Sequence, residues 1–220
     1  MAQEARGTFH DELIKLHSLV LDLAEKVKFN GDLLLKFLEN KEAVSELFLK
    51  IKEKDKEIDK ARWDVHDFGD QLMILQQPVA KDFRYIITSI QVTDSFERIG
   101  DHFKKTARLL EKAELKETDI PQELISMAKL GLEMLDESIK AIADIYNNKT
   151  NEIAATDEKV DLLYKQTIRK IISLIKNAPE EKIESLSKLF FIAQSFERAA
   201  DHAAKIGQSV NFAITAKRTF

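Results

Sequence analysis

The sequence of 220 residues contains no cysteine, only six glycines and only three prolines. Without cysteine the chain can form no disulfide, thiolate metal site or cysteine nucleophile, which is typical of proteins from a reducing compartment. Glycine and proline interrupt helices, so their scarcity favours long, unbroken helices. We therefore expect a helix-rich protein without covalent cross-links.

Long uncharged apolar segments are also missing, since no run of about 18 such residues occurs. Residues 1–6 carry charge and no apolar run, so no secretory signal is expected there. The net charge is −4 at pH 7, whereas nucleic-acid-binding domains usually carry a basic surface. These features predict a soluble, cytoplasmic protein that does not bind nucleic acid.

The three prolines, at positions 78, 121 and 179, each lie between segments of periodic apolar residues. Proline ends or begins helices, and two polar breaks at 39–40 and 147–151 complete the division of the chain. Between the breaks the apolar residues follow the 3.6-residue helical period. The pattern predicts six helices, at 8–39, 42–76, 79–116, 121–147, 151–177 and 180–217. In the third helix, one predicted core side carries Phe83, Ile87, Ile90, Phe96, Ile99, Phe103, Ala107 and Leu110.

An octapeptide occurs twice, as SFERIGDH at 95–102 and as SFERAADH at 195–202, with six of eight residues identical. A repeat of domain-sized period indicates an internal duplication. Short connections make consecutive helices antiparallel neighbours. We predict an all-α fold of two tandem homologous three-helix bundles, with six long antiparallel helices. The first bundle is expected over residues 1–117 and the second over 118–220.

Four pairs of acidic residues share a spacing of four, namely Asp55/Asp59, Glu97/Asp101, Asp157/Asp161 and Glu197/Asp201. Residues at this spacing share one helix face, with Cβ atoms about 5–6 Å apart. The first two pairs lie at equal distances on either side of Pro78, and the last two at equal distances on either side of Pro179. Each antiparallel hairpin is therefore predicted to bring four carboxylates to one level at the bundle surface.

Carboxylate oxygens suit hard cations such as Mg²⁺, Mn²⁺, Ca²⁺ or Fe³⁺. We predict a metal site in each half, and Asp94 is a candidate additional ligand in the first. Its counterpart is Gln194, so the two sites need not be equal. Four basic residues offer an alternative, since they can pair with these carboxylates without any metal: Arg62, Arg98, Lys104 and Arg198.

These residues resemble the PhoU family of phosphate-transport regulators. The family pattern Glu-Arg-x-Gly-Asp is similar to ERIGD at 97–101 and ERAAD at 197–201. The run QQPVAKDFR at 76–84 is similar to a second family motif, and the pairs at 55/59 and 157/161 match its (Glu/Asp)-x-x-x-Asp pattern. Two departures occur in the second half, where Ala200 replaces the glycine and NAPE at 177–180 replaces the proline-containing run.

The resemblance implies a cytoplasmic negative regulator of phosphate uptake and of the phosphate-starvation response. It implies as partners the sensor histidine kinase of the phosphate regulon and the ATPase subunit of the phosphate ABC transporter, so that the chain would meet a membrane only through them. It also implies bound metal, as an iron cluster or as Mg, Mn, Zn or Ca ions, and a homodimer. Residues expected to contact partners are Arg84, Arg98, Arg198 and Phe190.

We interpret the chain as a non-enzymatic, metal-binding adaptor that couples the transporter to the kinase. A metal-dependent helical-bundle enzyme is one alternative, although the sequence has no His-Glu-x-x-His motif, phosphate-binding glycine loop or nucleophile elbow. The other alternative is a helical scaffold whose acidic pairs bind no metal.

Overall fold

A computed structural model describes residues 2–40, 44–113, 115, 119–145 and 150–217. Those residues form six helices: α1 (Ala2–Asn40), α2 (Val44–Gln76), α3 (Ala80–Ala113), α4 (Gln122–Ala143), α5 (Thr150–Lys176) and α6 (Glu180–Thr215). The predicted all-α fold of six long helices is confirmed. Helix α1 begins earlier than predicted, and α3 and α4 end a few residues sooner. The predicted polar break at 147–151 lies largely outside the described residues.

Each proline lies at a helix boundary, as the sequence predicts. Pro121 and Pro179 are the N-caps of α4 and α6, with extended backbone angles. Pro78 lies in the turn between α2 and α3, where Gln77 and Ala80 both adopt positive φ angles. A positive φ is uncommon for residues with a side chain, and no residue of the connection before α6, at 177–179, adopts one.

The apolar sides of all six helices meet in one continuous core. From the predicted core side of α3, Phe96, Ile99, Phe103, Ala107 and Leu110 are buried, and Ile90 packs against them. Phe83 was predicted to share this core, but its side chain is 42% exposed. It lies in the first turn of α3, close to the hairpin tip where Val79 is also exposed.

The two halves are joined chiefly by α3 and α6, which run antiparallel. Near one end Arg84 Nε donates to the Ala213 carbonyl at 3.3 Å, and near the other Lys188 Nζ donates to the Lys112 carbonyl at 3.0 Å. Between them the rings of Phe103 and Phe196 lie 6.2 Å apart. The halves therefore pack along the length of the two helices that carry the repeated octapeptide.

Helices α1 and α4 also meet across the halves. Lys28 on α1 pairs with Asp136 on α4, and Lys129 on α4 pairs with Glu39 at 2.6 Å. Among the described residues, no helix combines the length and apolar character that a bilayer crossing requires.

Candidate metal sites

The acidic site of the first half contains a lysine. Lys104 Nζ donates to Asp55 Oδ2 at 2.6 Å and to Asp101 Oδ1 at 2.8 Å. One ammonium group thus bridges α2 and α3, which places Asp55 and Asp101 at the same level of the hairpin. Asp55 is only 5% exposed, deeper than the surface position predicted, because residue 55 follows the buried Ile51 by one turn.

Burial and charge act in opposite directions on this group. Burial raises the pKa of the Asp55 carboxyl, and the hydrogen bond from Lys104 opposes that rise without cancelling it. The two carboxylates together raise the pKa of the Lys104 ammonium, although burial alone would lower it. The three groups therefore form a partly buried cluster in which one ammonium offsets part of the charge of two carboxylates.

Glu97 lies in the same electrostatic neighbourhood. Burial raises the pKa of its carboxyl, the negative charge of Asp101 adds to the rise, and Arg98 and Arg62 counter it. A smaller upward contribution to the pKa comes from Asp59 on α2. All four paired carboxylates of the first half therefore lie near one another.

Asp94, the predicted additional ligand, already has two partners. Arg62 Nε donates to its Oδ1 at 2.7 Å, and His66 Nε2 lies 3.0 Å from the same oxygen. The Arg62 guanidinium also lies over the Trp63 ring, 5.2 Å from its centroid. The first half therefore supplies a second cation, Arg62, to its own acidic site.

The second half brings together its own four carboxylates but lacks these cations. Burial raises the pKa of the Asp157 carboxyl, and the negative charges of Asp201, Asp161 and Glu158 raise it further. Burial likewise raises the pKa of Glu197, with Asp201 contributing most among its charged neighbours. Alignment of the halves puts Ala204 opposite Lys104, Tyr164 opposite Arg62 and Gln194 opposite Asp94.

Asp157 illustrates what the loss of the Lys104 and Arg62 equivalents means for the second half. Its Oδ1 atom is buried and has no hydrogen-bond partner. A buried carboxylate oxygen without a donor is energetically costly, and a cation would satisfy it. The donor chemistry of the second half therefore fits a hard metal ion.

The carboxylates are not arranged as a finished chelate. Over the described parts of the chain, no three His, Asp or Glu side chains are close enough together to hold one metal ion as they lie. Holding one ion would therefore require rotation of carboxylate side chains into other staggered rotamers.

The two histidines of the octapeptides lie between the halves. The rings of His102 and His202 are 6.0 Å apart, and His202 Nδ1 is buried without a hydrogen-bond partner. Burial, followed by the positive charge of Lys205, lowers the pKa of His202 to about 4. Both rings are therefore neutral at pH 7 and serve the contact between α3 and α6.

The residues predicted to contact partners differ in exposure. The side chains of Arg98 and Arg198 are 64% and 54% exposed. Arg84 is half-buried and bonded to α6. Phe190, predicted to lie on the exposed side, instead packs against the core, whereas Phe191 is 51% exposed. One residue turns the helix by about 100°, and Phe191 shares its face with Arg198, two turns away.

A cavity of about 320 Å³, which the sequence did not indicate, lies between the halves. It is lined by ends of α1, α3, α4 and α6, and His17 Nδ1 lies 2.8 Å from the Tyr85 hydroxyl in its wall. The acidic pairs line neither this cavity nor a second one beside Phe68.

Comparison with known proteins places these sites in a family context. A family model described as the PhoU domain matches residues 20–110 and again 124–210. A phosphate-specific transport system accessory protein PhoU homolog of Clostridium acetobutylicum is 28% identical over 218 residues, covering 97% of each chain. The homolog of that name from Streptococcus pneumoniae serotype 4 is 30% identical over 205 residues, covering 91% of this chain and 92% of its own.

Solved structures agree with this assignment. The crystal structure of the phosphate transport system regulatory protein PhoU from Streptococcus pneumoniae superposes with a TM-score of 0.86 at 28% identity, covering 96% of this chain and 99% of that one. PhoU from Pseudomonas aeruginosa, at 22% identity, shares the fold with a TM-score of 0.85 and covers 95% of this chain.

Proposed function

The chain belongs to the PhoU family, and on that basis we propose that it is a non-enzymatic regulator of phosphate transport. In this proposal it acts in the cytoplasm as a negative regulator of phosphate uptake and of the phosphate-starvation two-component response. It couples the phosphate ABC transporter, through the ATPase subunit, to the sensor histidine kinase. The observation that carries the proposal is the match of two PhoU domains over most of the chain, one in each half.

Metal binding is the second part of the proposal. The residues that would hold an ion in the second half are Asp157, Asp161, Glu197 and Asp201. Among the described residues, no lysine forms an ion pair with any of them, although burial raises the pKa of Asp201 and the charge of Lys205 opposes that rise. A bound cation supplies positive charge that cancels their mutual repulsion. The identity of the metal is left open among Mg, Mn, Zn, Ca and iron, all of which accept oxygen ligands.

The exposed arginines connect that site to a partner surface. Arg198 Nε lies 3.6 Å from Glu197, and Arg198 Nη1 lies 3.8 Å from Asp201. When these carboxylates turn to a cation, Arg198 loses its ion-pair partners and becomes available to an acidic group of another protein. Arg98 has the same relation to Glu97, at 3.7 Å.

Genetic complementation with a partner-surface variant tests this function. In cells lacking the chain, the starvation response should be active at high phosphate, and the wild-type chain should restore repression. Arg98→Glu combined with Arg198→Glu should leave the protein folded but fail to repress and fail to co-purify with the kinase or the ATPase subunit. Normal repression in cells that lack the chain would contradict the proposal.

The position of the cavities bears on the alternative that the chain is an enzyme. Neither cavity described above is lined by the acidic pairs, so neither offers a substrate pocket beside the candidate metal ligands. A regulator acts through contact and needs no substrate pocket, which favours the non-enzymatic function.

A further inference from the structure

The two halves descend from one repeat, so each is a control for the other. In the first half, the Lys104 ammonium lies between carboxylates of α2 and α3, at 2.6 Å and 2.8 Å. Those distances are typical of charge-assisted hydrogen bonds. The ammonium group thus occupies the position between the helices that a bridging cation would take.

Among the described residues of the second half, no cation is paired with carboxylates of both α5 and α6, although burial raises the pKa of Asp201 and the charge of Lys205 on α6 opposes that rise. Ala204 is the counterpart of Lys104, and its methyl group cannot reach α5. Asp157, the counterpart of Asp55, keeps a buried oxygen atom without a partner. Asp55 accepts a hydrogen bond from Lys104, and the alanine at the equivalent position 204 has no donor to offer Asp157.

A second difference also places a positive charge in the first half alone. Arg62 on α2 pairs with Asp94 on α3 in the first half, and its counterpart Tyr164 carries no charge. The first half therefore contains two built-in cations that bridge its hairpin, and the second half contains neither. Arg98 pairs with Glu97, and Arg198 pairs with both Glu197 and Asp201. These pairs each lie within one helix, so they do not bridge a hairpin.

We propose that Lys104 is the resident cation of the first half, so that this chain binds metal only between α5 and α6. This inference rests on the proposed metal binding and assigns it to one half. The duplication has thus produced one hairpin with its own bridging cations, Lys104 and Arg62, and one hairpin that lacks both. Only the second can report metal to a partner.

Exchange of one residue between the halves tests the inference. Full-length protein is freed of metal with a chelator and titrated with Mn²⁺. Bound metal is measured by isothermal titration calorimetry and by the loss of the electron paramagnetic resonance signal of free Mn²⁺. Lys104→Ala should double the bound Mn²⁺, and Ala204→Lys should weaken Mn²⁺ binding roughly 10–100-fold, the range typical of losses at metal-supporting residues. Circular dichroism verifies the folding of each variant.

Two matched controls separate charge from shape. Lys105→Ala removes a neighbouring lysine that does not bridge the helices, and it should leave the bound Mn²⁺ unchanged. Ala204→Leu adds bulk without charge and should retain binding.

The outcomes distinguish the inference from its premise. If the wild-type chain already binds as much Mn²⁺ as Lys104→Ala, or if Ala204→Lys binds as the wild type does, the inference is overturned while metal binding stands. If neither the wild-type chain nor any variant binds Mn²⁺, the metal part of the proposed function fails. Because Ala204→Lys leaves the buried Asp55 pair intact, the test survives even where Lys104→Ala folds poorly.

Discussion

Among single residues, the clearest contrast between the halves concerns two equivalent aspartates. Asp55 and Asp157 occupy matching positions, yet Asp55 accepts a hydrogen bond from Lys104 while Asp157 has a buried oxygen without a donor. The same side chain therefore has a compensating cation in one hairpin and none among the described residues of the other. Its effect is set by the charge that faces it across the hairpin.

Replacement of each aspartate by asparagine should change stability in opposite directions. In chelator at pH 7, Asp157→Asn should raise the free energy of unfolding by up to about 1 kcal/mol, because it removes a charge that burial and three acidic neighbours disfavour. Asp55→Asn should lower it by about 1–3 kcal/mol, because it breaks a partly buried ion pair. Urea unfolding of the two variants measures both changes. If both variants shift the free energy of unfolding in the same direction, the proposed difference between the two aspartates is contradicted.

The dependence on pH follows from the raised pKa of Asp157. Below the unfolded-state pKa, Asp157 is protonated in both the folded and the unfolded protein, and its contribution to folding stability is at its most favourable. That contribution is lost as the pH rises through the higher folded-state pKa, because the folded protein must then hold a disfavoured negative charge. The advantage of Asp157→Asn over the wild type should therefore be present at pH 7 and disappear as pH falls through the folded-state pKa. A gain that is unchanged on acidification would show that charge is not its cause.

A glycine pair gives a second test at the residue scale. A Cβ atom at Gly31 would lie 2.4 Å from Leu132 and 2.9 Å from Phe103, whereas at Gly131 the nearest atom would be 3.8 Å away. Gly31→Ala should destabilise the fold by about 1–3 kcal/mol through overpacking between α1 and α4. Gly131→Ala should stabilise it by about 0.5–1 kcal/mol, the helix-propensity difference. Thermal unfolding of both variants compares them directly.

At the scale of helical elements, the two hairpins have the same turn position but different tips. Before and after Pro78 lie Leu75 and Val79, which are 72% and 75% exposed. Around Pro179 the equivalent residues are Lys176 and Glu180. The apolar tip of the first hairpin is therefore not a requirement of the turn, because the second hairpin forms without it.

Exchange of the tip residues should leave the fold intact. Leu75→Lys with Val79→Glu should change the free energy of unfolding by less than about 0.5 kcal/mol, as expected at exposed positions. Leu72→Ala, one turn earlier on α2 and only 2% exposed, should cost about 2–5 kcal/mol and is the control. A large loss in the tip variant would show that the tip packs against something in the folded protein.

For the whole molecule, the continuous core and the α3–α6 contact make the two bundles one structural unit. The internal duplication does not imply independent folding. Each half buries part of its third helix against the other half, so a separated half would expose that surface to water.

Unfolding of the whole chain should therefore be a single cooperative transition. Trp63, the only tryptophan, reports on the first half, while circular dichroism reports on all six helices. In urea, the two signals should have coincident midpoints. An earlier midpoint for Trp63 fluorescence than for circular dichroism would show that the bundles unfold separately.

The sequence by itself determined the six helices, their boundaries near the prolines, the duplication and the four acidic pairs. These features are written in local composition and in helical periodicity, which depend little on distant contacts. Its clearest errors, at Phe83, Phe190 and the depth of Asp55, are errors of burial, because burial depends on which neighbouring helix covers a side chain. Only the tertiary structure decided that Lys104 lies between Asp55 and Asp101, that Arg62 is paired with Asp94, and that Asp157 has no such partner. The sequence contains both the lysine and its alanine counterpart, but the bridge exists only where two packed helices bring the ammonium within hydrogen-bonding distance of both carboxylates.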